Sequence, residues 1–134
     1  MVISDTTVRK GKTLPGLLAL YGLASLVHFV HNAEYLVDYP NLPAWLSRFQ
    51  IYGAWCGITA LGLAGYALYR RGRALIGFSI IAVYAALGFD GLLHYRQAPF
   101  AAHTVAMNLT IWSEVTAAVL LLLAVVKIAA QDNQ

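Results

Sequence analysis

The chain has 134 residues, of which 60% are hydrophobic and 11% are charged, and its formal net charge is +3. An ordinary soluble domain has ~25% charged residues, so this composition, with a mean hydropathy of +0.65, indicates an integral membrane protein. Most basic residues adjoin apolar segments, where they set membrane orientation, so we expect no nucleic-acid partner. The single cysteine, Cys56, excludes an intramolecular disulfide and a two-cysteine redox pair.

Four apolar segments, each close to the ~20 residues that cross a bilayer core, predict an all-α bundle of four transmembrane helices. The predicted spans are residues 14–36, 50–70, 74–96 and 103–127, and together they make residues 1–134 a single integral membrane domain. We expect residues 1–13 to form a tail that is partly frayed. Pro15 is expected in the first turn of the first helix, where a missing N–H costs nothing.

The first span ends in a group of polar residues. His28, His31, Asn32 and Tyr35 are spaced by three or four residues, which places them on one face of a helix. Ionisable groups inside a hydrocarbon span are costly and usually face the interior of a bundle. The sequence therefore predicts a site at this end of the first helix.

The second and third spans carry two further patterns. Small residues recur along one face of the second span, which favours close helix packing and a homodimer; they are Gly53, Gly57, Ala60 and Ala64. The third span ends in Asp90 and His94, which are four residues apart and so lie on one face of the helix.

The fourth span contains a carboxyl group near its middle. Glu114 is expected ~15 Å below His103 in a helix that rises ~1.5 Å per residue. A carboxylate at that depth costs ~2.5 kcal/mol or more unless it is paired or protonated. Asn108 and Trp112 are adjacent to the helix face that carries Glu114. His103 is expected either in solvent or at the site.

Basic residues are distributed unequally between the connecting segments. Seven of the nine Lys and Arg residues lie in the tail, the middle turn or the C-terminal end, namely Arg9, Lys10, Lys12, Arg70, Arg71, Arg73 and Lys127. Cytoplasmic segments are enriched in such residues. We therefore expect both termini in the cytoplasm and the polar residues on the extracytoplasmic side of a plasma (inner) membrane.

With this topology, the polar ends of three spans converge in the outer half of the bundle as a histidine cluster. Histidine and carboxylate side chains can bind zinc or iron, and the predicted ligands are His28, His31, Asp90 and His94. Glu114 would be the catalytic proton acceptor, with Asn32 or Asn108 orienting the ligands. We expect a metal-binding protein that acts on or senses a small apolar molecule, and the sequence does not decide whether it is an enzyme.

Two other functions fit the same residues. One is a metal-free module that binds or transports a small molecule or lipid, with Tyr35, Trp55 and Trp112 as aromatic walls. The other is haem b electron transfer, in which His28 or His31 pairs with His94 as axial ligands. No histidine lies in the inner half for a second haem, so a transmembrane electron path would be incomplete. In the metal and metal-free cases, histidine titration predicts pH-dependent binding between about pH 5 and 8.

Overall fold

The computed structural model describes residues 5–132, with side chains for residues 13–131, and shows helices and no strand over that range. The α-helices are α1 (Asp5–Glu34), α2 (Arg48–Arg70), α3 (Ala74–Leu87), α4 (His94–Gln97) and α5 (Val105–Asp132). Three short 3₁₀ turns, Leu36–Asp38, Asp90–Leu93 and Phe100–Ala102, lie in the connecting segments. The all-α prediction is confirmed.

The first helix begins earlier than predicted. Because α1 starts at Asp5, residues 5–13 of the predicted tail are helical, and Pro15 lies in the helix interior and not in its first turn. Residues 1–4 of the predicted tail lie outside the described residues. An interior proline removes one helical hydrogen bond, and burial of Leu14 and Tyr21 on either side of it holds this part of α1 against the core.

The third span is not one continuous helix. It consists of α3, which ends at Leu87, then the 3₁₀ turn Asp90–Leu93, and then the single-turn helix α4. The break begins at Gly88, where a Cβ atom would lie 2.7 Å from Ala118 and Tyr21 side-chain atoms. The prediction of one continuous third helix is therefore wrong, but Asp90 and His94 still line the same cavity.

Four apolar segments form a closed ring in which α1 and α3 each pack against both α2 and α5. The core contains residues from α1, α3 and α5, among them Tyr21, Ile81 and Leu121, which are fully buried. Four segments are long and apolar enough to cross a membrane, namely Thr13–Glu34, Arg48–Arg70, Ala74–Gln97 and Val105–Gln131.

The burial pattern is reversed relative to that of a soluble bundle. Leu23 and Leu63 are 61% and 66% exposed, whereas Glu114 is fully buried and His28 is 1% exposed. Apolar side chains on the outside and ionisable side chains on the inside suit a bundle that is surrounded by lipid.

The small-residue face of α2 does not pack within this chain. Gly53 and Gly57 are exposed, and a Cβ atom at either would meet nothing within 4 Å. The buried glycines are instead Gly62 and Gly65, which contact α3 side chains. The homodimer stays a prediction.

Candidate functional site

The centre of the site is a pair formed by a histidine of α1 and the carboxyl group of α5. His28 Nε2 lies 3.6 Å from Glu114 Oε2, and both side chains are almost completely buried. Neither oxygen of Glu114 makes a hydrogen bond of full geometry among the described residues, although the buried Ser25 hydroxyl, which has no other partner there, interacts with this carboxyl group. A buried ionised carboxylate without hydrogen bonds is very unfavourable, so this pair needs a proton or a ligand between its members.

An asparagine one turn further along α1 joins this pair to a second histidine. Asn32 Nδ2 lies 3.0 Å from His28 Nε2 and 3.4 Å from His94 Nε2. The centroids of the two imidazole rings are 5.6 Å apart. The Nε2 atoms of His28 and His94 therefore point to one common place.

The hydrogen bonds around His28 are consistent with one tautomer. With the Asn32 amide nitrogen facing it, Nε2 accepts a hydrogen bond, so the ring proton lies on Nδ1. His28 Nδ1 then donates to Thr110 Oγ1 at 3.3 Å, and Thr110 donates to the Met107 carbonyl oxygen at 3.0 Å. The lone pair on Nε2 is directed towards Asn32 and Glu114.

A cavity of about 210 Å³ opens beside these groups. His28, Asn32, Asp90 and His94 form its polar wall, and the opposite wall is formed by α2 and the preceding loop, through Leu42, Leu46, Ile51 and Ala54. Gly91 also lines the cavity, and a Cβ atom there would lie 3.6 Å from both Glu114 Oε2 and His28 Nε2. The missing side chain leaves room next to His28, which lines the cavity, and next to Glu114, which is fully buried and does not line it.

Two more polar atoms near the cavity lack hydrogen bonds. Asp90 Oδ1 is buried and has no partner among the described residues, and the same holds for His103 Nε2. His103 is 6% exposed, its Nδ1 is 3.1 Å from the Pro99 carbonyl oxygen, and its ring centroid lies 6.1 Å from that of His94. His103 is thus buried beside the site and not in solvent.

His31, the remaining predicted metal ligand, lies at the margin. Its Nδ1 is hydrogen-bonded to the Tyr39 hydroxyl at 2.8 Å, and its ring stacks on Tyr35, which is 52% exposed. Burial raises the pKa of Tyr39 to about 12, so this phenol keeps its proton at neutral pH. His31 and Tyr35 do not line the cavity that contains His28 and His94.

The other predicted binding residues have separate surroundings. Asn108 accepts a hydrogen bond from the Tyr95 hydroxyl at 2.7 Å and donates to the carbonyl oxygens of Phe100 and His103, so it holds the loop before α5. Trp112 is 48% exposed and stacks near Tyr95. Trp55 lines a different, apolar groove.

Among residues 13–131, no group of three or more His, Cys, Asp or Glu side chains is arranged to hold a metal ion. The predicted four-residue ligand set is therefore divided: His28 and His94 converge, Asp90 lines the same cavity, and His31 is bonded elsewhere.

Sequence reasoning did not identify Thr110, Gly91 and Tyr39 as parts of the site. The spacing does place Thr110 on the helix face of Glu114, four residues before it, but it assigns Thr110 no role in the site. Gly91 and Tyr39 had no such signal, because their positions depend on the turn Asp90–Leu93 and on the loop after α1.

No family model, curated protein or solved structure matches this chain.

Proposed function

We propose that this chain is an integral membrane protein that binds a small hydrogen-bonding molecule in the cavity beside His28, Asn32 and His94. Glu114 and His28 act together as the proton-exchanging pair of the site. With the expected cytoplasmic termini, the cavity opens in the extracytoplasmic half of the membrane.

The observation that carries this proposal is the Glu114 carboxyl group, which is fully buried and makes no hydrogen bond of full geometry among the described residues, including Ser25 beside it. Its neighbour His28 Nε2 already accepts from Asn32, so a proton on the carboxyl group or a ligand group between the two would stabilise the pair. A buried polar group without a partner is unfavourable, and a ligand that donates to Glu114 or His28 would remove that cost. Binding is therefore expected to change the protonation of the pair.

The experiment is a thermal-stability screen of small amides, alcohols and amines on protein in mild detergent, followed by calorimetric titration of each compound that binds. Titration in two buffers with different ionisation enthalpies gives the number of protons exchanged. We expect wild type to exchange protons on binding, and Glu114→Gln to bind at least tenfold more weakly and exchange none. Compounds that bind both proteins equally would contradict the proposal.

Zinc or iron binding is a second candidate, favoured by the convergence of two imidazole nitrogens. The Nε2 atoms of His28 and His94 both face Asn32 Nδ2, and His103 has a buried Nε2 without a partner next to them. A metal at this place would take imidazole ligands, and the Pro99 carbonyl oxygen would orient His103 in the way that supports metal-bound histidines.

Elemental analysis and an absorption spectrum distinguish this candidate from the first. Protein purified without affinity-tag metal would contain stoichiometric metal that His94→Ala loses, while a Soret band would reveal haem. Wild type with neither metal nor chromophore, but with proton-coupled binding of a small molecule, would leave the first function in place.

A further inference from the structure

A second cavity extends along the cleft between α1 and α2. Its volume is about 470 Å³, and its walls are almost entirely apolar. Gly22 and Leu26 of α1, Trp55 and Thr59 of α2, and Tyr84 of α3 are among the residues that line it. We refer to this cavity as the apolar groove.

Two polar atoms in the apolar groove lack partners. Trp55 Nε1 and Thr59 Oγ1 are buried and make no hydrogen bond among the described residues. The two residues are four apart on α2, so they present one N–H and one O–H donor to the same side of the helix. Buried tryptophan N–H groups usually find an acceptor, so these atoms point to a ligand that carries an acceptor oxygen.

The apolar groove begins where the polar cavity ends. On α1, Leu26 of the groove is one helical turn from Phe29 of the polar cavity, and on α2, Trp55 follows Ala54 of the polar cavity directly. Small-molecule sites commonly have volumes of ~300–1,000 Å³. The polar cavity alone is smaller than this range, but the two cavities together fall within it.

We infer that the two cavities form one site for a single-chain amphiphile. Its small head, without negative charge, lies beside His28, Asn32 and His94, an oxygen near the head accepts from Trp55 or Thr59, and its alkyl tail occupies the apolar groove. Anionic heads are disfavoured because none of the residues that line the polar cavity is a lysine or arginine that could pair with a buried anion. The inference rests on the proposed function, and it adds the ligand class and the position of the tail.

This inference is tested by quenching of tryptophan fluorescence. The quencher is a long-chain primary amide that carries two bromine atoms in the middle of its chain. The reporter protein keeps Trp55 as its one tryptophan, through Trp45→Phe and Trp112→Phe. A matched reference protein keeps only Trp112, which lies 48% exposed on α5 and reports quenching by amide dissolved in the detergent. We expect saturable quenching of Trp55 in excess of the reference, and a clearly weaker effect from the corresponding brominated fatty acid.

Two substitutions of equal size separate filling of the apolar groove from general effects on α1. Gly22→Leu places a side chain in the groove, and its Cβ atom meets only the Tyr84 hydroxyl, at an ordinary 3.5 Å. Gly16→Leu adds the same side chain where a Cβ atom meets nothing within 4 Å. We expect Gly22→Leu to weaken amide binding at least tenfold and Gly16→Leu to leave it unchanged. Thr59→Val, which preserves shape, is expected to weaken it about threefold.

The possible results separate this inference from the proposed function. Equal quenching of both reporters, or tight binding that neither Gly22→Leu nor Thr59→Val weakens, would overturn the role of the apolar groove. If butanamide, which lacks a tail, binds as tightly as the long-chain amide and depends on Glu114, the proposed function stands without the tail site. If the long-chain amide depends on Gly22 but not on Glu114, the proposed function fails and the groove alone binds the ligand.

Discussion

The crossing of α2 and α3 depends on a glycine that faces an aromatic ring. A Cβ atom at Gly62 would lie 2.6, 2.6 and 2.8 Å from three ring carbons of Tyr84. Favourable carbon contacts lie at ~3.5–4.0 Å, so Gly62→Ala forces the ring and the helix apart by about 1 Å. Tyr84 is 3% exposed, and its ring centroid lies 4.6 Å from that of Tyr21, so the ring can retreat only towards the apolar groove that it lines.

The magnitude follows from comparison with Gly57→Ala on the same helix. A Cβ atom at Gly57 meets nothing within 4 Å. Gly57→Ala is therefore expected only to raise the free energy of unfolding by the ~1 kcal/mol difference in helix propensity between glycine and alanine. Gly62→Ala has the same gain, but it adds an overpacking cost of ~1–3 kcal/mol. We therefore expect Gly62→Ala to be less stable than Gly57→Ala by ~1–3 kcal/mol.

This difference can be measured by unfolding each variant in mixed micelles of mild detergent and dodecyl sulfate. Circular dichroism monitors the loss of helix. Tyr84→Leu provides the matched background, because a flexible side chain removes the rigid ring that the new methyl group meets. The two alanine variants should be more nearly equal in that background, as expected for a pairwise coupling. Equal stability of the two variants with Tyr84 present would refute the packing argument.

Three further predictions concern the site and its loops. Gly91→Ala should fold normally, because its Cβ contacts at 3.5–3.6 Å are ordinary, but it should weaken binding in the calorimetric assay by covering the His28–Glu114 pair. The pKa of Tyr39 is raised from 10.0 to about 12 by burial, so the folded state holds this proton more tightly, and the free energy of unfolding should fall by up to ~3 kcal/mol between those pH values. In unfolding measured across that range, Tyr39→Phe should lose this part of the fall, and identical pH profiles would contradict it. Asn108→Ala should cost ~1–3 kcal/mol by removing the side-chain hydrogen bonds that hold this loop, and it should increase hydrogen exchange at residues 98–103; an unchanged exchange rate would contradict the assigned role.

The sequence was informative about the site where the helix is regular. The spacing of His28 and Asn32 on α1 placed both on one inward face, and the structure brings them together. The mid-span position of Glu114 predicted a buried carboxyl group, which is confirmed by its complete burial. The sequence was not informative about His31. The hydrogen-bond partner of His31 is Tyr39, which lies in the loop after α1, and helical spacing does not determine the path of a loop.

Composition and periodicity by themselves determined that this chain forms four long apolar, mainly helical segments with polar groups on inward faces, because both properties are local and repeat along the chain. The tertiary structure decided which polar groups meet. The break after Leu87 replaces the end of the third helix with the turn Asp90–Leu93, and this turn places Gly91 next to His28 and Glu114, which no local pattern predicts. The apolar groove likewise exists only where α1, α2 and Tyr84 enclose a volume, since a cavity depends on how separate helices pack and not on the residues of any one of them.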